Sequence, residues 1–538
     1  MGEAYIGVDV GTGSARAGIF DGAGRLLASA KRPIEIWREE GEIVEHSSQD
    51  IWAATTAAVR EAVRASELPR SAFAGIGFDA TCSLVVLDAQ GAPLPVGPSG
   101  LRERDVIVWM DHRAVAQANR INAAGHKVLR YVGGKISPEM QIPKLLWLAE
   151  NKPETFRGAA HFLDLTDFLT WRASGATQRS VCTLTCKWNY LAHERRWPLD
   201  FLESLGLQDL AANGFARIGA DVVEPGTPLG AGLTVEAAAA MGLPVGVKVG
   251  AGLIDAHAGA VGTLSASFAG EHANPTKRLA LILGTSACCM AVSDEALFVD
   301  GVWGPYFSAL TPGQWLTEGG QSAFGAAIDR LMRRHPAFSE ALNRADDNAY
   351  GEMERDIRNR AGTLSRAALL ARDLHVLPDF LGNRSPMADP NARGVLVGLD
   401  LRADRASALE LYVAALTGLA HGVAQIIRTL EAGGYDFEML VVSGGAGRSP
   451  LVRQIIADAT GKRVGVPETS EPVLLGAAML GAVAAGKYDM ASAMSAMSRL
   501  SDEIAPAGGE ISLFHDRKRR AFELMQSAEK GIREIMAK

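Results

Sequence analysis

Cysteine is scarce in this chain: five residues in 538, an odd number without the paired spacing of a disulfide framework. That usage suits a reducing compartment. Cys182, Cys186 and His193 lie close in sequence, but no second cysteine pair completes a zinc pattern, so they are not read as a metal site. Charge is muted as well. Lys and Arg number 54 against 61 Asp and Glu, a formal net charge of −7, and no Lys/Arg-rich block occurs. A nucleic-acid binder or a protein of anionic membrane surfaces is excluded on that ground, and any phosphate must be met by local groups. Long hydrophobic runs are missing too: the longest read, "LALILGTSACCMAV" at 279–292, is too short to span a bilayer. The opening "MGEAYIGVDV" has no basic region ahead of an apolar stretch, and Ile6 stands where myristoylation wants Ser or Thr. The expectation is a cytoplasmic protein.

What is present is length and 48% hydrophobic residues, enough for two large domains with separate cores. The opening predicts a meander: a strand to Val10, a glycine turn, a strand to Phe20, the turn "DGAG", then "RLLASAKRPIEIW" as a third strand. "SSQDIWAATTAAVREAVRAS" has helical spacing, and "FAGIGFDA" is a strand ending in Asp79. Alternation of sheet and helix predicts a layered α/β fold. The second half opens as the first does, with strand, Gly-Thr-Ser turn and strand in "RLALILGTSACCMAV", so two related halves are expected. The boundary is placed in the small and polar segment 262–278, giving domains 1–265 and 266–490. The remaining 491–538 is read as a helical extension, because "DRKRRAFELMQSAEKGIREIMAK" is a charged amphipathic run.

The turn in "GVDVGTGSARAGIFD" at 7–21 fits neither common phosphate loop. A dinucleotide fingerprint fails because Arg16 replaces its third glycine and a strand pattern follows. A P-loop fails because the near match "GAVAAGKY" at 481–488 ends in Tyr488. A hairpin whose turn is itself the anion site remains. Gly11 and Gly13 let backbone N–H groups converge, and the hydroxyls of Thr12 and Ser14 add donors. Asp9 at the strand end would repel a triphosphate unless a cation intervened, which makes it the candidate Mg²⁺ ligand. Gly284, Thr285 and Ser286 repeat the turn. A third glycine segment, "MLVVSGGAGRSPLVRQII" from 439, is strand, loop and helix start; Gly444, Gly445 and Ala446 there could seat adenine and an α-phosphate, or simply allow close strand–helix packing.

Two hairpin phosphate turns and a late Gly-Gly loop resemble the superfold shared by actin, sugar kinases and heat-shock ATPases. More narrowly, the chain resembles the FGGY family of carbohydrate kinases over nearly its whole length. The likeness is carried by the opening turn, "WMDHR" at 109–113, "PKLLWLAEN" at 143–151, "GAGLIDAHAG" at 250–259, "LGTSACCMA" at 283–291, "GVLVGLDL" with "ELYVAALTGLAHG" behind it, and "VVSGGAGRSP". It implies two actin-like (ribonuclease H-like) α/β domains flanking a cleft for ATP and sugar. It implies Asp255 of "LIDAHAG" as catalytic base, nucleotide contacts that extend to Arg16 and Ser449, and sugar contacts at Asp111, Lys187 and Glu318. The base assignment agrees with the chemistry, since phosphoryl transfer needs an acceptor hydroxyl held in line and a carboxylate for its proton. Without the family context, Asp255 could equally be a helix cap.

"ATCSLVV" after Asp79 lacks the Met-His pair of xylulose kinases. Thr81, Cys82 and Ser83 resemble the ribulose kinases, and the Thr-Cys-Ser-Leu-Val run resembles the D-ribulose kinase subgroup. Phosphorylation of D-ribulose at its C5 hydroxyl by ATP with Mg²⁺ is therefore expected. L-ribulose, xylulose and a pentitol such as ribitol are the alternatives within the chemistry. An actin-like or heat-shock-like ATPase, or a sugar sensor without turnover, is the alternative of another class, because phosphate turns alone do not discriminate. Members of the family often form dimers, so a homodimer is one candidate state. The expected partner is a small sugar, with no nucleic acid and no membrane.

Overall fold

The computed structural model describes residues 2–40, 42–271, 273–342 and 348–537. Two large mixed sheets face each other across a pair of crossed helices. In the first, Ala4–Val10, Ser14–Asp21 and Leu26–Pro33 run as the expected antiparallel meander. Phe73–Ala80 joins the other edge of Ala4–Val10 in parallel, and the short strands Lys248–Val249 and Leu253–Ile254 pair in parallel beyond it. The third strand does not continue through 37 as the sequence pattern suggested. It ends at Pro33, and Trp37–Glu39 starts a separate five-stranded antiparallel sheet with Ile43–His46, Val106–Ile107, Leu84–Leu87 and His161–Asp164. Pro33 has no N–H to give a ladder, which suits a strand end.

The second sheet repeats the plan. Arg278–Leu283 and Ala287–Ser293 form the hairpin, Trp315–Gln321 and Trp303–Phe307 extend it antiparallel, and Met439–Ser443 lies parallel to Arg278–Leu283. Arg463–Pro467 follows, and Leu500–Ile504 closes the far edge, so residues past 490 contribute a strand as well as the helix Glu510–Met536. The 28-residue helix Arg405–Ala432, capped by Asp404 through a 2.8 Å bond from the Ser407 N–H, runs through the core of this half. It has the length and hydropathy to cross a membrane, and 89% of its apolar window is buried in the fold.

Every residue of Ala4–Val10 is buried, because helices cover both faces of its sheet. One cover is Ser48–Ala65, started by Ser47, whose hydroxyl accepts from the Asp50 N–H. The other comes from the far end of the chain: Pro472–Ala484 lies directly on the first sheet. Gly7, Gly75 and Gly77 permit this, since a Cβ on each would sit 1.9–2.1 Å from the carbonyl oxygens of Leu474, Gly481 and Ala477. The helix Asp255–Val261 from the first half crosses it just as closely: a Cβ on Gly476 would lie 1.9 Å from the Ala258 carbonyl. Each half thus lends a helix to the middle of the molecule, and strand ends of both sheets open on the cleft beside them.

Candidate active site

Parallel pairing decides where three carboxylates meet. Asp9 is the register partner of Asp79, and Leu253, two residues before Asp255, is the register partner of Asp79 on its other side. The acids therefore share the C-terminal ends of adjacent strands, where ligand sites of such sheets form. Asp79 is fully buried and neither of its oxygens receives a hydrogen bond from a protein donor. Burial and the neighbouring Asp9 and Asp255 hold its carboxyl well above the usual range. Asp255 is the first residue of its helix rather than its cap. One oxygen accepts from the Ala256 N–H at 2.7 Å, and burial followed by repulsion from Asp9 pushes its carboxyl up to about 6. A poised carboxylate with one lobe free suits a general base.

The first turn is closed by a bond from the Gly11 N–H to the Ser14 carbonyl at 3.0 Å, and the Thr12 hydroxyl accepts from the Trp109 indole at 3.0 Å. Arg16 pairs with Asp9 and, at 2.8 Å, with Glu471 from the start of the helix Pro472–Ala484. Arg448 of the third glycine segment reaches the other Glu471 oxygen at 3.5 Å, so this glutamate ties the first turn to that segment across the cleft. In the second turn, the Gly284 N–H bonds the Ser286 carbonyl at 2.9 Å, while the Gly284 and Thr285 carbonyls accept from 324–326. Gly284 and Thr285 are exposed. Gly444 has a φ of +86° and lies against Leu283, which places the third segment beside the second turn; Gly445 faces open space. Ser449 is the N-cap of Pro450–Thr460 and gives its hydroxyl proton to Glu354 at 2.6 Å.

On the sugar side, Lys187 ends the helix Val181–Lys187 and its Nζ lies 2.9 Å from Glu318 Oε2 on the strand Trp315–Gln321. Both side chains are 5% exposed. Burial works against each charge, yet the partner wins: Glu318 is held below the usual carboxylate range and Lys187 above the usual amine range. Thr81 and Cys82 follow Asp79 after Ala80, and Cys82 lies near this pair; burial pushes the Cys82 thiol up to about 12, so it is a neutral wall. Ser83 is turned inward, its oxygen accepting from the Trp109 N–H at 3.1 Å and 3.1 Å from the Thr81 hydroxyl. Asp111 is likewise directed away from the cleft. Its carboxylate accepts from the Val44 N–H and from three donors of Arg113, which fills its four lone-pair sites. It anchors the WMDHR segment instead of reading a ligand.

Further side chains that residue patterns did not single out gather around this pair. Arg384 enters from the second half, 3.3 Å from Glu139 of the first and 5.2 Å from the Trp303 ring, over which Lys187 Nζ also sits at 4.5 Å. Burial pulls the Glu139 carboxyl upward, but Arg384 and His112 hold it down at about 2. Trp109 and His112 stood inside a quoted motif without a role, whereas Arg384 lies outside any strand or helix and Trp303 on the strand Trp303–Phe307, and only the folded chain shows their approach.

The residues around Asp9 fit a hard divalent cation: Asp9, Asp79 and Asp255 supply oxygen ligands of the kind Mg²⁺ prefers, and Asp79 keeps both oxygens without a protein donor. The arrangement can hold a polyphosphate on two glycine turns and a polyol between Lys187, Glu318 and Asp255.

Residues 4–262 and 279–485 match the N-terminal and C-terminal domains of the FGGY family of carbohydrate kinases. The chain is 45% identical to an FGGY carbohydrate kinase domain-containing protein of Homo sapiens, over 99% of this chain and 98% of that one. It is 36% identical to a D-ribulokinase of Saccharomyces cerevisiae, over 90% and 72% respectively. Its fold is similar to that of a xylulose kinase from Rhodospirillum rubrum, with a TM-score of 0.79 at 22% identity over 98% and 99% of the two chains. Two lobes of kindred topology and family matches over most of the chain lead to one conclusion: the chain belongs to the FGGY carbohydrate kinases and is a sugar phosphotransferase.

Proposed function

We propose that this kinase transfers the γ-phosphoryl group of ATP to the C5 hydroxyl of a ketopentose, D-ribulose first among them. The observation that carries this reading is the cluster of Asp255 with the buried Lys187–Glu318 pair, close enough for their charges to act on one another. The 36% identity to a yeast D-ribulokinase supports the choice of sugar. Gly11, Thr12, Gly13 and Ser14 bind phosphate oxygens from one lobe, and Gly284, Thr285 and Ser286 bind them from the other. Gly444, Gly445 and Ala446 leave room for the adenine, while Ser449 holds the helix behind it. Arg16 exchanges Asp9 and Glu471 for phosphate. Asp9 would hold Mg²⁺ with Asp79 behind it, and the charge such an ion supplies would let the phosphates approach these acids. Lys187 and Glu318 part to take sugar hydroxyls, Thr81 and Cys82 line the pocket, and Asp255 draws the proton as the alcohol attacks. Closure of the lobes read as 1–265 and 266–490 excludes water, the competing acceptor. All five cysteines are free, in keeping with a cytoplasmic enzyme.

ADP release measured with D-ribulose, L-ribulose, D- and L-xylulose and ribitol tests the assignment. Highest kcat/KM with D-ribulose is expected, and a preference for another sugar would reassign the substrate. ATP hydrolysis indifferent to every sugar would favour the mechanical ATPase. Asp255→Ala should lower kcat by about 10²–10⁴-fold with nucleotide affinity kept; full turnover would remove Asp255 as the base.

A further inference from the structure

Behind the Lys187–Glu318 pair lie two thiols and an imidazole that phosphoryl transfer does not use. Cys182 and Cys186 are four residues apart on the helix Val181–Lys187, so both point from one face, and the helix Asp255–Val261 brings His257 against them. His193, near the cysteines in sequence, is instead held by Tyr131 at 3.0 Å. The Sγ atoms of the two cysteines and an imidazole nitrogen of His257 all lie within 4.8 Å of one another, and all three residues are fully buried. Cys186 Sγ is 3.6 Å from His257 Nε2. A tetrahedral zinc with ordinary bond lengths to sulfur and nitrogen separates those two ligands by about 3.6 Å. Glu318 Oε2 is 3.8 Å from the same nitrogen, within a small side-chain shift of a fourth ligand position.

We propose that Cys182, Cys186 and His257 form a site for a soft divalent cation, zinc above all, with Glu318 as the fourth ligand. Binding replaces two thiol protons: Zn²⁺ joins both sulfurs as thiolates and two protons leave to solvent. A cation held there draws Glu318 from Lys187, so metal and sugar oppose each other, and by linkage each weakens the other equally. The competition rests on reading Lys187 and Glu318 as sugar contacts; the metal site itself does not.

Titration of the metal-free, full-length protein with Co²⁺, followed by Zn²⁺, tests both. One equivalent of cobalt with a thiolate-to-cobalt charge-transfer band, displaced by zinc with proton release, is expected. Cys182→Ser and Cys186→Ser should each weaken binding by more than the ~10–100-fold that loss of an outer partner costs. Absence of the thiolate band in the parent protein overturns the site whether or not the variants fold. Binding unchanged in both variants overturns it as an adventitious surface ion, and a Cys182–Cys186 disulfide in freshly purified protein overturns it in favour of a redox pair. Saturating D-ribulose should raise the apparent Kd for cobalt. A band that sugar leaves untouched keeps the metal site and overturns the coupling, while the kinase assay above decides the substrate separately.

Discussion

Asp255 differs from an ordinary surface aspartate because it is surrounded by its own kind. Burial and Asp9 raise its carboxyl to about 6, and a base acts only when deprotonated. Log kcat/KM should therefore fall with unit slope as pH drops below about 6; a profile flat from pH 7 to 4.5 would contradict the role. Lys187 shows the opposite balance, an amine kept charged in a dry place by one partner. Lys187→Met should cost about 3–5 kcal/mol of stability by leaving Glu318 buried and unpaired, and thermal unfolding reads this. The sugar KM should rise in the same variant, while Glu318→Met added to it should recover much of the stability and none of the activity. Asp164, fully buried with its carboxyl pushed by burial and then by Asp167 up to about 8, makes a pH-dependent contribution. Its folded value exceeds the unfolded one, so its stabilisation is present below the ordinary aspartate range and is lost as pH rises through 8. Asp164→Asn should thus raise Tm more at pH 8.5 than at pH 5.

At the scale of elements, the glycines divide into two kinds. Those of the turns at 11–13, 284 and 444–445 stand out in the sequence, because glycine beside Thr and Ser at a strand end has a recognised chemical use. Gly7, Gly75, Gly77, Gly476 and Gly481 sit inside strands and a helix, where a local reading finds only weakness. The fold supplies their purpose: sheet and helices approach backbone to backbone in the middle of the molecule. Gly75→Ala would put a methyl 2.0 Å from the Gly481 carbonyl, so the helix Pro472–Ala484 must shift. Overpacking of this sort costs about 1–3 kcal/mol. Because Glu471 at that helix's start holds Arg16, nucleotide affinity should drop together with the denaturation midpoint; a variant equal to the parent in both would show that the strand and the helix yield without strain.

At the scale of the molecule, charged contacts among the described residues cross the cleft, notably Arg16 with Glu471, Lys187 with Glu318, and Arg384 with Glu139. They draw the lobes together in the free protein, and ligands must replace them rather than simply fill space. Arg384→Ala should enlarge the radius of gyration of the free protein in solution scattering and raise the sugar KM. A mixture of D-ribulose and a non-hydrolysable ATP analogue should restore the compact form. An unchanged radius in the variant would remove Arg384 as a tie between lobes.

Local patterns along the chain determined the repeated strand–turn–strand openings, the two glycine-turn hairpins and the acid at the head of the helix Asp255–Val261, because each is written within a dozen residues by strand alternation, glycine and a carboxylate. Tertiary structure alone decided that Asp111 and Ser83 turn inward, that Arg384, Glu139 and Trp303 join Lys187 and Glu318, and that each half lends a helix to the other's side. Those outcomes depend on strand register and on contacts between residues far apart in the chain, 67 positions for Val44 and Asp111 and 245 for Glu139 and Arg384. No local pattern encodes such distances, since the energy that selects them arises only when both surfaces have left water together.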